Sequence, residues 1–195
     1  MQNEIRLSGT GGQGLILAGI LLSEAAGIHD GRHVVQTQSY GPEARGGASK
    51  SDVIISDQEI LHTQVIYPDY LVCLSQQAYD RYSITTRPGA TVIYDSLFVK
   101  PEELAGVKQI PVAATETAVA LGTRIVANVV ALGALYSVSV LCRESESRAS
   151  GALVSWDALE KALLARAPKG SEEINRKALE AGKQLALSAA AGASL

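Results

Sequence analysis

The chain lacks several features that would settle a function at once. It has no excess of positive charge: 17 Lys and Arg face 20 Asp and Glu, for a net charge of −3. That leaves no overall basic field for gripping a phosphate backbone. Aromatics make up 5% of the chain and do not alternate with Lys or Arg, which argues against a base-stacking surface. Nucleic acid is therefore not an expected partner. The two cysteines, Cys73 and Cys142, are far apart, each inside an apolar run. Zinc and iron–sulfur sites need several thiolates at close spacing, so no metal is expected here. Two buried, reduced thiols fit a cytoplasmic home. His29, His33 and His62 lie in separate segments without metal-ligand spacing, and no G-x-S-x-G elbow offers a nucleophilic serine.

Two absences bear on membranes. The start, Met1-Gln2-Asn3-Glu4, lacks the basic region of a secretory signal. One uncharged run, residues 125–142, approaches the length of a bilayer span. It contains Asn128, Ser137 and Ser139 and is rich in Ala, Gly and Val, so it reads as a helix buried on all sides, in a core or an interface. Asn128 is then either a satisfied buried polar group or a hydrogen-bonder at an interface, the second being favoured.

What is present is enough for a core. A chain of 195 residues that is 47% hydrophobic suits one domain, spanning 1–195, with a helical C-terminal part over about 156–190. Strands are expected over 4–8, 32–38, 51–56, 70–75, 91–95 and 108–112, and helices over 14–28, 76–83, 115–122, 124–141, 156–166 and 171–190. Ser155 and Ser171 stand where N-caps belong, with Asp157, Glu172 and Glu173 in the first turns. Residues 59–66 are expected to pair with the strand before them through Asp57-Gln58, as an inserted hairpin. Residues 143–151 read as a solvated loop. The alternation of strand and helix implies an α/β fold: a three-layer, Rossmann-like domain with a mostly parallel sheet between helices.

The first strand runs into Gly9-Thr10-Gly11-Gly12-Gln13-Gly14, and a helix follows. Gly9, Gly11 and Gly14 fit G-x-G-x-x-G in the context that motif requires. Without Cβ atoms, the backbone N–H groups of such a turn can approach an anion closely, and the helix adds the positive end of its dipole. The parts that define a nucleotide class are missing. A dinucleotide site wants an acid at the end of the second strand, where this chain has Gln36-Thr37-Gln38-Ser39, and no Walker lysine closes the loop.

A second loop, Ser39-Tyr40-Gly41-Pro42-Glu43-Ala44-Arg45-Gly46-Gly47-Ala48-Ser49-Lys50, follows the second strand. It is expected at the same carboxyl edge of the sheet, with Arg45 and Lys50 within reach of a phosphate and Gly46 and Gly47 letting the backbone close in. An ordinary surface loop with a salt-bridged Arg45 explains the same residues.

Ser8-Gly9-Thr10-Gly11-Gly12-Gln13-Gly14, then Ser39 through Gly47, then Val53-Ile54-Ile55-Ser56, and finally Asn128-Val129-Val130-Ala131-Leu132-Gly133 together resemble the gamma subunit, or domain III, of 2-oxoacid:ferredoxin oxidoreductases. The likeness covers roughly residues 4–185. The resemblance implies an oxidoreductase complex that decarboxylates a 2-oxoacid to an acyl-CoA, the Tyr40–Gly47 form leaning toward the 2-oxoglutarate branch. It implies no cofactor bound by this chain alone: CoA at a shared site, with thiamine diphosphate, magnesium and iron–sulfur clusters on partner alpha, beta and ferredoxin-like subunits. Carried onto this sequence, Gly9, Gly11, Gly12, Gln13, Gly14, Ser39, Tyr40, Gly41, Arg45, Gly46, Gly47 and Lys50 face the CoA crevice. Two other readings stay open: a free-standing Rossmann-type nucleotide-binding oxidoreductase, and a scaffold subunit whose glycine loops only pack.

Overall fold

The computed structural model describes residues 1–39, 47–145 and 152–192. Its central strand, β1 (Gln2–Thr10), sorts side chains by strict alternation. Ile5 and Leu7 enter one buried cluster, while Ser8 turns to Cys73, a member of the other. The chain continues through α1 (Leu15–Glu24), a π-helical turn (Ala25–His29), β2 (His33–Ser39), β3 (Ala48–Ser56), β4 (Tyr70–Cys73), α2 (Gln76–Tyr82), β5 (Thr91–Asp95) and β6 (Lys108–Val112). Four helices follow: α3 (Ala114–Ala120), α4 (Ala127–Ser145), α5 (Trp156–Arg166) and α6 (Glu172–Gly192).

The six strands form one sheet in the order β2-β3-β1-β4-β5-β6. β1, β4, β5 and β6 are parallel, and β3 runs antiparallel to both β1 and β2. Only β3 is reversed, so the expected mostly parallel sheet is present. Helix α2 packs Ala78, Tyr79 and Tyr82 on one face against Leu71, Cys73 and Val92. The opposite face is covered by α1 and α3–α6, whose Leu21, Ala118, Val130, Leu159 and Ala178 share one cluster. This is the expected three-layer architecture.

Local chemistry explains several boundaries. Ser75 and Ser155 accept the N–H groups of Ala78 and Ala158 and so start α2 and α5. Pro111, which has no N–H to donate, sits in β6, a strand at the sheet edge.

The expected hairpin over 59–66 does not form. Both edges of β3 are already taken, by β1 and β2, so no unpaired edge is left for another strand. Side chains hold the segment instead. Arg6 donates to the carbonyl of Val65, and Glu4 and Gln2 contact His62. The hairpin that does form joins β2 to β3.

The uncharged run belongs to α4 and the 3-10 turn before it. Arg124–Cys142 is long and apolar enough to cross a membrane, yet 72% of its most apolar window is buried inside the fold. Its closest neighbour is α6. A Cβ on Gly133 would overlap the carbonyl oxygen of Leu179, and one on Gly182 would overlap that of Val130. The helices therefore cross with backbones in contact, which only glycine permits at these points. Gly133→Ala should cost about 3 kcal/mol, the upper range for overpacking a core, read as a lowered denaturant midpoint.

Candidate functional site

The loop between β1 and α1 is fixed by its own side chains. Gln13 accepts the N–H of Thr10 at Oε1 (2.7 Å), and its Nε2 donates to the carbonyl of Leu74 (2.8 Å) at the end of β4. One side chain thus ties the carboxyl ends of neighbouring strands and bridges the crevice between them. Gly9 is needed for that brace, since a Cβ there would meet Gln13 Oε1 and Leu15. Gly14 caps α1 at φ 72°, and Asn128 from α4 donates to its carbonyl at 3.0 Å. Gly12 also lies in the left-handed region, at φ 88°.

Gly11 differs from the other three. It has no positive φ, and an added Cβ would meet nothing within 4 Å. Gly11 and Gly12 are exposed ahead of α1, whose N-cap Gly14 has no side chain to bond the first-turn N–H groups. Two of the four loop glycines therefore serve packing, and the exposed pair faces open space ahead of the first turn of α1.

That space is a cavity of about 290 Å³ lined by Gly11, Gly12, Gln13, Thr115, Arg124 and Ile125. Thr115 opens α3 and is held by Asp95, which accepts both its N–H (3.1 Å) and its hydroxyl (2.6 Å). Arg124 lies over the ring of Phe98, 5.8 Å from its centroid, and pairs with no carboxylate among the described residues. It is the available cation of the glycine loop. Sequence reasoning treated it only as the border of an apolar run; its position directly after Gly122-Thr123 and ahead of Asn128 was the signal to weigh.

The other expected site residues divide. Ser39 ends β2 and pairs in register with Lys50 on β3, while Thr10 pairs with Ala48, so the second loop does begin and end at the same sheet edge as the first. Gly47 is buried there. Lys50 instead sits on the face away from α1, its ammonium 2.6 Å from Asp52. Tyr40, Gly41, Arg45 and Gly46 lie outside the described residues. Asn128 donates inward to the carbonyl of Gly14, and its buried Oδ1 has no partner among the described residues. Asn128 also lines an apolar cleft of about 320 Å³ with Leu17, Leu21 and Val129; Gly12 and Ile125 are common to this cleft and the loop cavity. Cys73 is fully buried, and burial pushes its thiol up to about 12, so it is not a reactive thiolate. Among the described residues no group of His, Cys, Asp and Glu could hold a metal ion.

A dinucleotide reading fails on topology as well as on the missing acid. β3 intervenes between β1 and β2, which moves the end of β2 about 10 Å from β1, at two strand spacings.

Residues 4–185 match the family model for pyruvate ferredoxin/flavodoxin oxidoreductase. The chain belongs to that family. This oxidoreductase-family chain is 46% identical over 189 residues to the 2-oxoglutarate synthase subunit KorC of Methanocaldococcus jannaschii, 95% of each being covered. It superposes with a TM-score of 0.84, at 43% identity, on the gamma subunit of a keto/oxoacid ferredoxin oxidoreductase from Geobacter sulfurreducens, covering 97% of this chain and 98% of that one. A 2-oxoglutarate:ferredoxin oxidoreductase from Magnetococcus marinus, with 2-oxoglutarate, coenzyme A and succinyl-CoA bound, matches at TM-score 0.81 and 24% identity, over 96% of this chain and 31% of that one. That last likeness carries the fold alone.

The stability of the glycine loop rests on Gln13 and not on Gly11. Gln13→Leu should cost about 2 kcal/mol by leaving the Thr10 N–H and Leu74 carbonyl unpaired. Gly11→Ala should stay within about 0.5 kcal/mol of the parent. Denaturant unfolding of both variants checks this.

Proposed function

We propose that the chain is the gamma-type subunit of a 2-oxoacid:ferredoxin oxidoreductase acting on 2-oxoglutarate, and that its glycine loop faces CoA. The reaction joins CoA to the acyl group left when the 2-oxoacid loses CO2, with the electrons passing to ferredoxin. Identity across nearly the whole length of a 2-oxoglutarate synthase subunit supports the complex and this acid. Thiamine diphosphate, which supplies the carbanion chemistry, is assigned with magnesium and the iron–sulfur clusters to partner alpha, beta and ferredoxin-like subunits. Cys73 and Cys142 form no disulfide with each other, which supports a cytoplasmic, reducing setting.

The observation that carries the CoA assignment is the cavity where exposed Gly11 and Gly12 meet Arg124. CoA presents a diphosphate, and a guanidinium with glycine N–H groups at a helix start is a suitable partner for it. The resident side chains have three tasks there. Gln13 keeps the loop open, Asn128 fixes the carbonyl of Gly14, and Arg124 supplies charge. The neighbouring cleft supports a role in assembly, because Leu17 and Ile125 on its rim are 41% and 83% exposed.

In the assembled complex, Arg124→Gln should raise the CoA Michaelis constant about tenfold or more, the size of one charge-assisted bond. Gly11→Ala should act in the same direction. Oxoacid decarboxylation measured without CoA should stay near the parent rate in both. An assembled Arg124→Gln complex with unchanged CoA dependence would contradict the assignment.

A further inference from the structure

The two edges of the sheet are finished differently. β6, at one end of the strand order, carries Lys108 and Pro111 and lies against α6. A lysine, and a proline with no N–H to give, make a strand a poor template for another. β2, at the other end, is seven residues long, His33-Val34-Val35-Gln36-Thr37-Gln38-Ser39, with no proline and no Lys, Arg, Asp or Glu. One side of it pairs with β3 along its whole length. On the other side no backbone bond from a described residue reaches it, and His33, Thr37, Gln38 and Ser39 are exposed.

The side chains show the same open edge. Val34 and Gln36 turn toward the helices: an added Cβ on Gly27 would meet Val34, and one on Gly19 would meet Gln36 Nε2, which donates to Ser51 at 2.9 Å. By strand alternation, Val35 and Thr37 point to the opposite face. Val34 packs on the main buried cluster, whereas Val35 joins neither cluster of the described residues. A β-branched apolar side chain thus stands in an uncharged edge strand with no core to enter. A row of unpaired N–H and C=O groups accepts another strand, and a cross-strand neighbour is what covers a side chain placed like Val35.

We propose that β2 is an interaction surface for a second copy of this chain, joined antiparallel, β2 to β2, across a two-fold axis at Gln36. Gln36 is the middle residue, so this centre is the one that keeps all seven residues of both strands in the ladder. It sets Val35 opposite the partner's Thr37, Val34 opposite the partner's Gln38, and His33 opposite the partner's Ser39. Val and Thr, both β-branched, are good cross-strand neighbours on one face, and the two Gln36 residues meet on the other. The composition selects the occupant. β2 has no charge with which to choose a charged strand, and against its own copy it brings no like charges together. The pairing is independent of what the glycine loop binds.

Register-specific cross-linking, in the purified chain and in the assembled complex, tests this. Residues directly opposite in an antiparallel pair have Cα atoms about 4.5–5.5 Å apart, within the span of a disulfide. Gln36→Cys should therefore give a disulfide-linked dimer of the chain on mild oxidation, and the parent should not. His33→Cys should not bridge to its own copy, because the two lie about 20 Å apart along the ladder, but mixed with Ser39→Cys it should. That mixture also covers the loss of the Gln36–Ser51 bond in Gln36→Cys. A ladder of seven residues a side is a small interface, so the isolated chain should associate reversibly with concentration. Val35→Lys should weaken that association about tenfold, since the pair with Thr37 occurs twice about the axis. No bridge in Gln36→Cys and none in the His33→Cys with Ser39→Cys mixture overturns the proposal. Equal bridging of His33→Cys alone also overturns it, because that marks random collision. If Val35→Lys frees the chain from its complex while neither bridge forms, β2 takes a strand of another subunit and the second copy is ruled out.

Discussion

A guanidinium buried to 3% exposure in the central strand constrains much of this fold. A charge so placed is tolerated only when its donors are met, and removing one partner from such a pair leaves an uncompensated ion. Arg6 meets Asp52 on β3, the carbonyl of Val65, the hydroxyl of Thr85, and the ring face of Tyr82 at 5.3 Å. These partners come from three separate segments. The reversed strand β3, the irregular stretch after it and the end of α2 are therefore held to one point. Lys50 joins the same carboxylate, its ammonium 2.6 Å from Asp52.

At the other end of β1 the logic is neutral hydrogen bonding. Gln13 and Asn128 brace the glycine loop through hydrogen bonds to Thr10, Leu74 and Gly14. Gly11 and Gly12 line a formed cavity together with Arg124. Gly9 and Gly14 serve packing, and Gly11 and Gly12 line the cavity.

Much of this was legible in the sequence because the signals were local. Serine caps, short β-branched runs and the glycine cluster fixed the helices, most strands and the position of the loop. Ser155 heads α5, and the uncharged run is a core helix. Where the signal was nonlocal, reading failed. Nothing in Val53-Ile54-Ile55 tells that β3 is reversed and placed between β1 and β2, and without that order residues 59–66 looked like a pairing strand. Arg6 sits among alternating residues with no sign that its partner lies on β3. Arg124 reaches the glycine loop only because α3 and the turn before α4 fold over the same sheet edge. The charge of Lys50 is legible in the sequence, but its strand position aims it at the other face, beside Asp52.

The central claim is that this chain acts inside a CoA-dependent 2-oxoacid oxidoreductase. The most direct measurement is an anaerobic pull-down of the chain from its native cell, with the eluate assayed for CoA-dependent dye reduction against a panel of 2-oxoacids. The account predicts co-elution of a thiamine-containing partner and activity greatest with 2-oxoglutarate. A stable, partner-free chain that binds NAD or FAD and shows no such activity would contradict it.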